Sequence, residues 1–367
     1  MVFVGGLLGK HLAPSPKLAT LPLTALILGT ALSTIPAAML MKRVGRKRGS
    51  YVGYVLALLG TFLAMQAALN ASFGLFLTGA FLLGANLAFA QQFRFAALES
   101  LDDPNDFPTA FSVMMLGGIV SAFLGPEIGL SGKDLLDSPH GYAGSFLLLA
   151  GLILISMTVF ALFKEPVVSN REGEEPARPV LEIARSPLFF IAILASGVSF
   201  GVMSFVMTAT PLNMHEICGI DLSSTKRVIQ IHIASMFLPS LFGGWLIKRL
   251  GIGRVLLAGS VVYGGMMAVG LAGQELMHFL GSLILLGVGW NFLFAGGTAL
   301  LPKTYRNSER FKAQAFNDFA VFGVQAIASL GAGWFLFEFG WSILVWACLP
   351  AVAAVGIAGL WLIRKGE

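Results

Sequence analysis

The sequence predicts an all-α polytopic membrane protein, and three observations predict it. Hydrophobic residues make up 56% of the 367 residues and charged residues only 12%. A soluble domain carries roughly 25% charged residues, so this chain has too few to solvate its surface. Apolar stretches of about 20 residues, the length that crosses a bilayer, recur along the whole chain between short polar loops. The same composition excludes disordered, collagen-like, coiled-coil and disulfide-rich secreted classes.

The elements follow in order. The chain starts with a short apolar piece, Met1–Leu8, closed by Gly9-Lys10-His11. It lacks the basic start and small-residue cleavage site of a signal peptide. It reads as the tail of a first span whose beginning is missing. Eleven complete spans follow, at about 19–41, 50–69, 73–98, 109–130, 142–163, 187–209, 227–247, 254–273, 279–300, 312–336 and 341–363. Gly and Pro inside them are tolerated in membrane helices. With the partial piece as span 1, the complete spans are 2 to 12.

Orientation comes from the basic loops. Of the 24 Lys and Arg, only Lys10, Lys17, Lys133, Lys226 and Arg227 fall on one side. The other side is therefore cytoplasmic and carries the C-terminus. A multi-pass protein of the cell inner membrane is expected. The net charge of +5 reads as a topology determinant, not a nucleic-acid surface. Cys218 and Cys348 lie far apart with no metal-ligand spacing and read as unpaired.

Residues 164–186 are rich in Pro and charge and read as a cytoplasmic linker. They divide the chain into an N-terminal bundle, 1–163, and a C-terminal bundle, 187–367. The bundles repeat each other. Lys42-Arg43-Val44-Gly45 recurs as Lys248-Arg249-Leu250-Gly251, each just after an apolar span. Leu82-Leu83-Gly84 with Asn86 recurs as Leu285-Leu286-Gly287 with Asn291. Two parallel repeats of six spans, the first span incomplete, place a solute site near the bilayer midplane.

This arrangement resembles the major facilitator superfamily. The segment Leu40-Met41-Lys42-Arg43-Val44-Gly45-Arg46-Lys47-Arg48 is similar to the superfamily's loop signature, Gly-x-Leu-Ala-Asp-Arg-x-Gly-Arg-Arg/Lys. Ala38 stands for its Gly and Lys42 for its Asp. That Asp takes part in a cytoplasmic latch, so the resemblance implies a latch built differently here. Gly125-Pro126-Glu127-Ile128-Gly129 is similar to the end of the antiporter signature. Gln91-Gln92-Phe93-Arg94-Phe95 and Asn317-Asp318-Phe319 resemble a bacterial branch that includes riboflavin importers. The resemblance implies secondary active transport of a small organic solute by alternating access. Riboflavin, another planar metabolite or a drug-like efflux substrate are the candidate solutes.

Ionisable residues inside a membrane are functional candidates by default. Asp318 lies about two turns into span 11. Either it pairs with Lys42 or Arg43 as a cytoplasmic gate, together with Gly45 and Arg46, or it is the protonatable group that couples transport to protons. The two roles are compatible. Arg94 either pairs with Glu99 near the headgroups or faces the cavity and binds solute. Gln91, Asn86, Trp290, Asn291, His232 and Gln325 complete a candidate cavity lining. Gly117, Gly118, Gly125, Pro126 and Gly129 of span 5 are expected to allow close helix packing.

No phosphate loop, zinc motif or Gly-x-Ser-x-Gly turn occurs, so no enzyme, cofactor or metal is expected. The expected partners are a small solute, protons and the lipid bilayer, with no nucleic acid, and the chain is expected to be a monomer. The competing class is a non-transporting membrane scaffold or sensor.

Overall fold

The apolar stretches form helices throughout the computed structural model, which describes residues 2–15, 18, 21–101, 103–165 and 177–366. The middle of the expected linker, 166–176, lies outside the described residues. Among the described residues no strand occurs. The short first piece is helix α1 (Val2–Leu12). The apolar spans follow as α2 (Leu21–Val44), α3 (Arg46–Leu69), α4 (Phe73–Gln91) with α5 (Phe93–Glu99), α6 (Phe107–Ser131) and α7 (Ala143–Phe160). Next come the short α8 (Val180–Ala184), α9 (Pro187–Leu212), α10 (Leu222–Phe237) with α11 (Ser240–Leu250), α12 (Ile252–Ala272), α13 (Leu276–Leu300), α14 (Arg310–Trp346) and α15 (Leu349–Lys365).

Among the described residues, ten helical stretches are long and apolar enough to cross a membrane. The last, Asn307–Lys365, is broken at Gly340, where φ is 79°. It therefore holds both spans 11 and 12. Two expected spans are also interrupted. Span 4 breaks at Gln92, whose backbone N–H bonds to Phe89 O three residues back. Span 8 breaks around Pro239, which has no N–H to continue the ladder. Span 8 also starts earlier than expected, at Leu222. Asp221 caps it, accepting from Ser224 N at 2.9 Å and Ser223 Oγ at 2.6 Å. These bonds hold the Asp221 carboxyl below the usual carboxylate range.

The chain divides into two compact units. Unit 1 is Met1–Ser100, Phe123–Glu172 and Gln314–Phe322. Unit 2 is Leu101–Ala122, Gly173–Ala313 and Gly323–Glu367. Without a hydrophobic force between helices in lipid, small residues and close backbone contact hold such units together. In unit 1, a Cβ on Gly84 would stand 1.9 Å from Leu26 O, and one on Gly29 2.2 Å from Phe81 O. Thr30 Oγ1 donates to Gly84 O at the same crossing of α2 and α4, at 3.0 Å. α1 packs Val4, Leu8 and Leu12 against Phe76 and Phe146. In unit 2, Gly297 and Gly287 of α13 meet α9 and α10 in the same way.

The repeated motif carries its conformation with it. Gly45 has φ 87° and ψ 161°, and Gly251 has φ 82° and ψ 160°. Both turn the chain between two spans in a region that favours glycine. The two copies of one sequence pattern thus make the same turn.

Replacing Gly84 with Leu is expected to lower stability by about 1–3 kcal/mol or more, the usual cost of overpacking. Gly74→Ala is the control, because nothing lies within 4 Å of its added Cβ. Thermal unfolding in detergent should show a clear fall for the first and none for the second.

Candidate functional site

A buried polar network lies within unit 1, built on the break between α4 and α5. Gln92, at the break, and Arg94, two residues on, are both buried. Asp318, on the Gln314–Phe322 stretch of α14, is fully buried, and Arg94 is 2% exposed. Arg94 Nη2 donates to Asp318 Oδ1, and the two form an ion pair. Asn317 Nδ2 donates to the same oxygen at 2.9 Å, and Gln92 Nε2 to the other at 3.2 Å.

Gln92 links this pair to a second one. Its Oε1 accepts from Arg46 Nη1 at 3.3 Å. Arg46 grips Glu99 with two bonds, Nε to Oε2 at 2.6 Å and Nη2 to Oε1 at 2.5 Å. A two-point Arg–carboxylate contact fixes direction as well as distance. Arg46 Nη2 also donates to Gln314 Oε1 at 3.1 Å, one turn before Asp318 on α14. Two buried cations thus face one buried and one mostly covered carboxylate, with their charges matched. Breaking such a pair by removing one partner costs about 3–5 kcal/mol. A small cavity of about 230 Å³ lies beside Arg46, lined by Met41, Ser50, Gln92, Phe93 and Phe160.

The motif glycine has a second role here. Glu165, just beyond α7, accepts from the backbone N–H of Arg46 and so places a carboxylate at the N-terminus of α3. A Cβ on Gly45 would stand 2.6 Å from Glu165 Oε1. In unit 2 the second motif copy makes another ion pair, between Lys248 and Asp106. There Glu309, fully buried before α14, accepts from Arg178 Nε and Nη2 at 2.7 Å each.

Several expectations are corrected by this geometry. Asp318 pairs with Arg94, not with Lys42 or Arg43, which are exposed in the last turn of α2. Glu99, the partner expected for Arg94, is instead gripped by Arg46, and the ion pair of Arg94 is with Asp318. Gly117 and Gly125 have open space where a Cβ would stand. The close contacts of α6 are made by Gly118, on which the Phe237 ring rests, and by Gly129, whose carbonyl accepts from Ser145 Oγ at 2.7 Å. The side chain of Pro126 lies outside the described residues.

The other candidates are dispersed. Gln91 and Asn86 are half-buried in α4, and Gln325 is half-buried in α14. His232 is fully buried, with Nδ1 2.8 Å from Leu283 O. Trp290 and Asn291 are buried in α13. Sequence reasoning missed Gln92, Gln314, Asn317 and Glu165 as network members, and it named Glu99 only as a partner for Arg94. The first three are uncharged, and the two glutamates stand at span ends, where a carboxylate normally costs little.

Residues 1–238 match the family model of the Major Facilitator Superfamily. A riboflavin transporter, RfnT, of Brucella anthropi is 36% identical over 359 residues, covering 97% of this chain and 89% of that protein. An uncharacterised transporter of the same type, YddS of Bacillus subtilis, is 28% identical over 338 residues, covering 86% of this chain and 76% of its own. A crystal structure of the Escherichia coli fucose:proton symporter, FucP, shares the fold. Its TM-score is 0.71 at 20% identity, covering 98% of this chain and 96% of that one. The chain belongs to the Major Facilitator Superfamily and is a multi-pass membrane transporter.

Proposed function

We propose that the protein moves a flat organic solute of the riboflavin kind across the bacterial inner membrane, coupled to protons, by rocking of the bundles 1–163 and 187–367. The observation that carries the coupling is the fully buried Asp318 with its ion pair to Arg94. The riboflavin transporter among its relatives supports the solute class, and the proton symporter of the same fold is consistent with the coupling.

The mechanism uses this chain's own groups. Ionised Asp318 holds Arg94, Gln92 and Asn317 and keeps the Gln314–Phe322 stretch of α14 within unit 1. A proton on Asp318 removes the negative charge and with it the ion pair that balances the buried Arg94 cation. That state is costly in a low-dielectric interior. It is relieved when the stretch of α14 moves away and water reaches Arg94. Arg46 and Glu99 keep their own pair and hold the break in span 4 in place while this happens. Each opening of the gate is thereby tied to one proton.

In vesicles, Asp318→Asn should abolish gradient-driven accumulation of riboflavin and leave counterflow exchange. One proton per solute supports about tenfold accumulation for each pH unit of gradient, from 1.36 kcal/mol per unit. The variant should equilibrate its solute without accumulating it, and unchanged accumulation rules out the coupling role. Arg46→Ala should destabilise by up to about 3–5 kcal/mol, since the mostly covered Glu99 carboxylate loses this cation. Adding Glu99→Gln should restore part of that loss in thermal unfolding. For orientation, a membrane-impermeant maleimide on spheroplasts should label Cys218, which is partly exposed between α9 and α10. A cysteine placed at Lys365 should react only after permeabilisation. Labelling of both in intact spheroplasts contradicts the cytoplasmic C-terminus.

A further inference from the structure

Unit 2 holds buried polar atoms that the Asp318 network does not use. Trp290 and Asn291 are neighbours near the middle of α13, 3% and 1% exposed. Asn291 Nδ2 donates to Met236 O at 2.7 Å and to Ser240 Oγ at 2.8 Å. Its Oδ1 has no hydrogen-bond partner among the described residues, and neither has Trp290 Nε1. A buried polar group left unmet costs about 1–3 kcal/mol. One span therefore keeps an unused acceptor beside an unused donor.

The surroundings are aromatic. The ring centroid of Trp290 is 5.2 Å from that of Phe200, 5.8 Å from Phe237 and 5.1 Å from Phe294. Both polar residues face α10, since Asn291 binds positions 236 and 240 on either side of Phe237. Phe237 is half-buried and rests on the bare backbone of Gly118, where a Cβ would stand 2.3 Å from its ring. It is the ring best placed to swing aside when α6 and α10 separate. Trp290 Nε1 and Asn291 Oδ1 would then be open to a solute.

We propose that Trp290 and Asn291 form a recognition site for a flat heteroaromatic ring carrying a cyclic amide. The ring carbonyl accepts from Trp290 Nε1, the neighbouring ring N–H donates to Asn291 Oδ1, and the ring lies edge-on to the indole in the place of Phe237. This rests on the transport reading above and names the chemistry of its solute. A plain hydrocarbon ring leaves both polar atoms unmet. A site built on paired hydrogen bonds discriminates strongly against ligands that lack them.

The test is fluorescence titration of the full chain in nanodiscs with lumichrome and with its 1,3-dimethyl derivative, which lacks both ring N–H groups. Wild type should bind lumichrome about tenfold more tightly than the methylated probe, the scale of one hydrogen bond. Trp290→Phe keeps a ring and loses the donor, so it should weaken both probes several-fold. Asn291→Leu should bind the two probes equally. The wild-type comparison stands even if that variant does not fold. Equal affinity of wild type for the two probes, or unchanged binding by Trp290→Phe, overturns the site. Solute accumulation by wild-type vesicles without any lumichrome binding also overturns the site but leaves the transport reading standing. If vesicles move no solute at all, the transport reading falls with it.

Discussion

Burying a carboxylate inside an apolar helix bundle is the constraint on which unit 1 is arranged. Asp318 has no exposure to solvent, and an isolated charge in such a place is costly. The structure answers with a cation, two amides and a break in a membrane helix. With the break, Gln92 and Arg94 both reach Asp318, and Gln92 also reaches Arg46. A charge-neutral cluster of Arg46, Glu99, Arg94 and Asp318 results. Losing the charge on any one of them unbalances it.

The backbone around the cluster is held by contacts of a different kind. Glycines let α2 and α4 touch, and Gly45 admits Glu165 to the start of α3. The signature motif therefore contributes twice: its glycine makes the turn and its Arg46 anchors the ion network. Its second copy makes the same turn at Gly251 but places Lys248 against Asp106 at an exposed pair. Screened by water, that pair contributes far less than the buried one.

Much of the fold was legible in the sequence, because apolar runs and loop charges report directly on the bilayer. The apolar runs became helices, and the repeated Lys-Arg-x-Gly motif became a repeated turn. The candidate site was half legible. Asp318 and Arg94 stood out as charges in apolar runs, but their pairing did not, since the nearer bases by motif were Lys42 and Arg43. The break in span 4 carries no proline or glycine, so nothing in the pattern marked it. Gln92, Gln314 and Asn317 are ordinary amides until the geometry brings them to a charge. Gly117 and Gly118 look alike in sequence, and only the direction each faces separates them.

The central claim is that the charge on Asp318 holds the lower part of α14 to α5. The most direct measurement is the distance between spin labels on α5, at Ala97, and on α14, at Phe316, by pulsed electron resonance in nanodiscs over a range of pH. The account predicts a short distance at neutral pH and growth of a longer one as the pH falls. Asp318→Asn should show the longer distance at every pH. A single distance that ignores both pH and the Asp318→Asn substitution would contradict it.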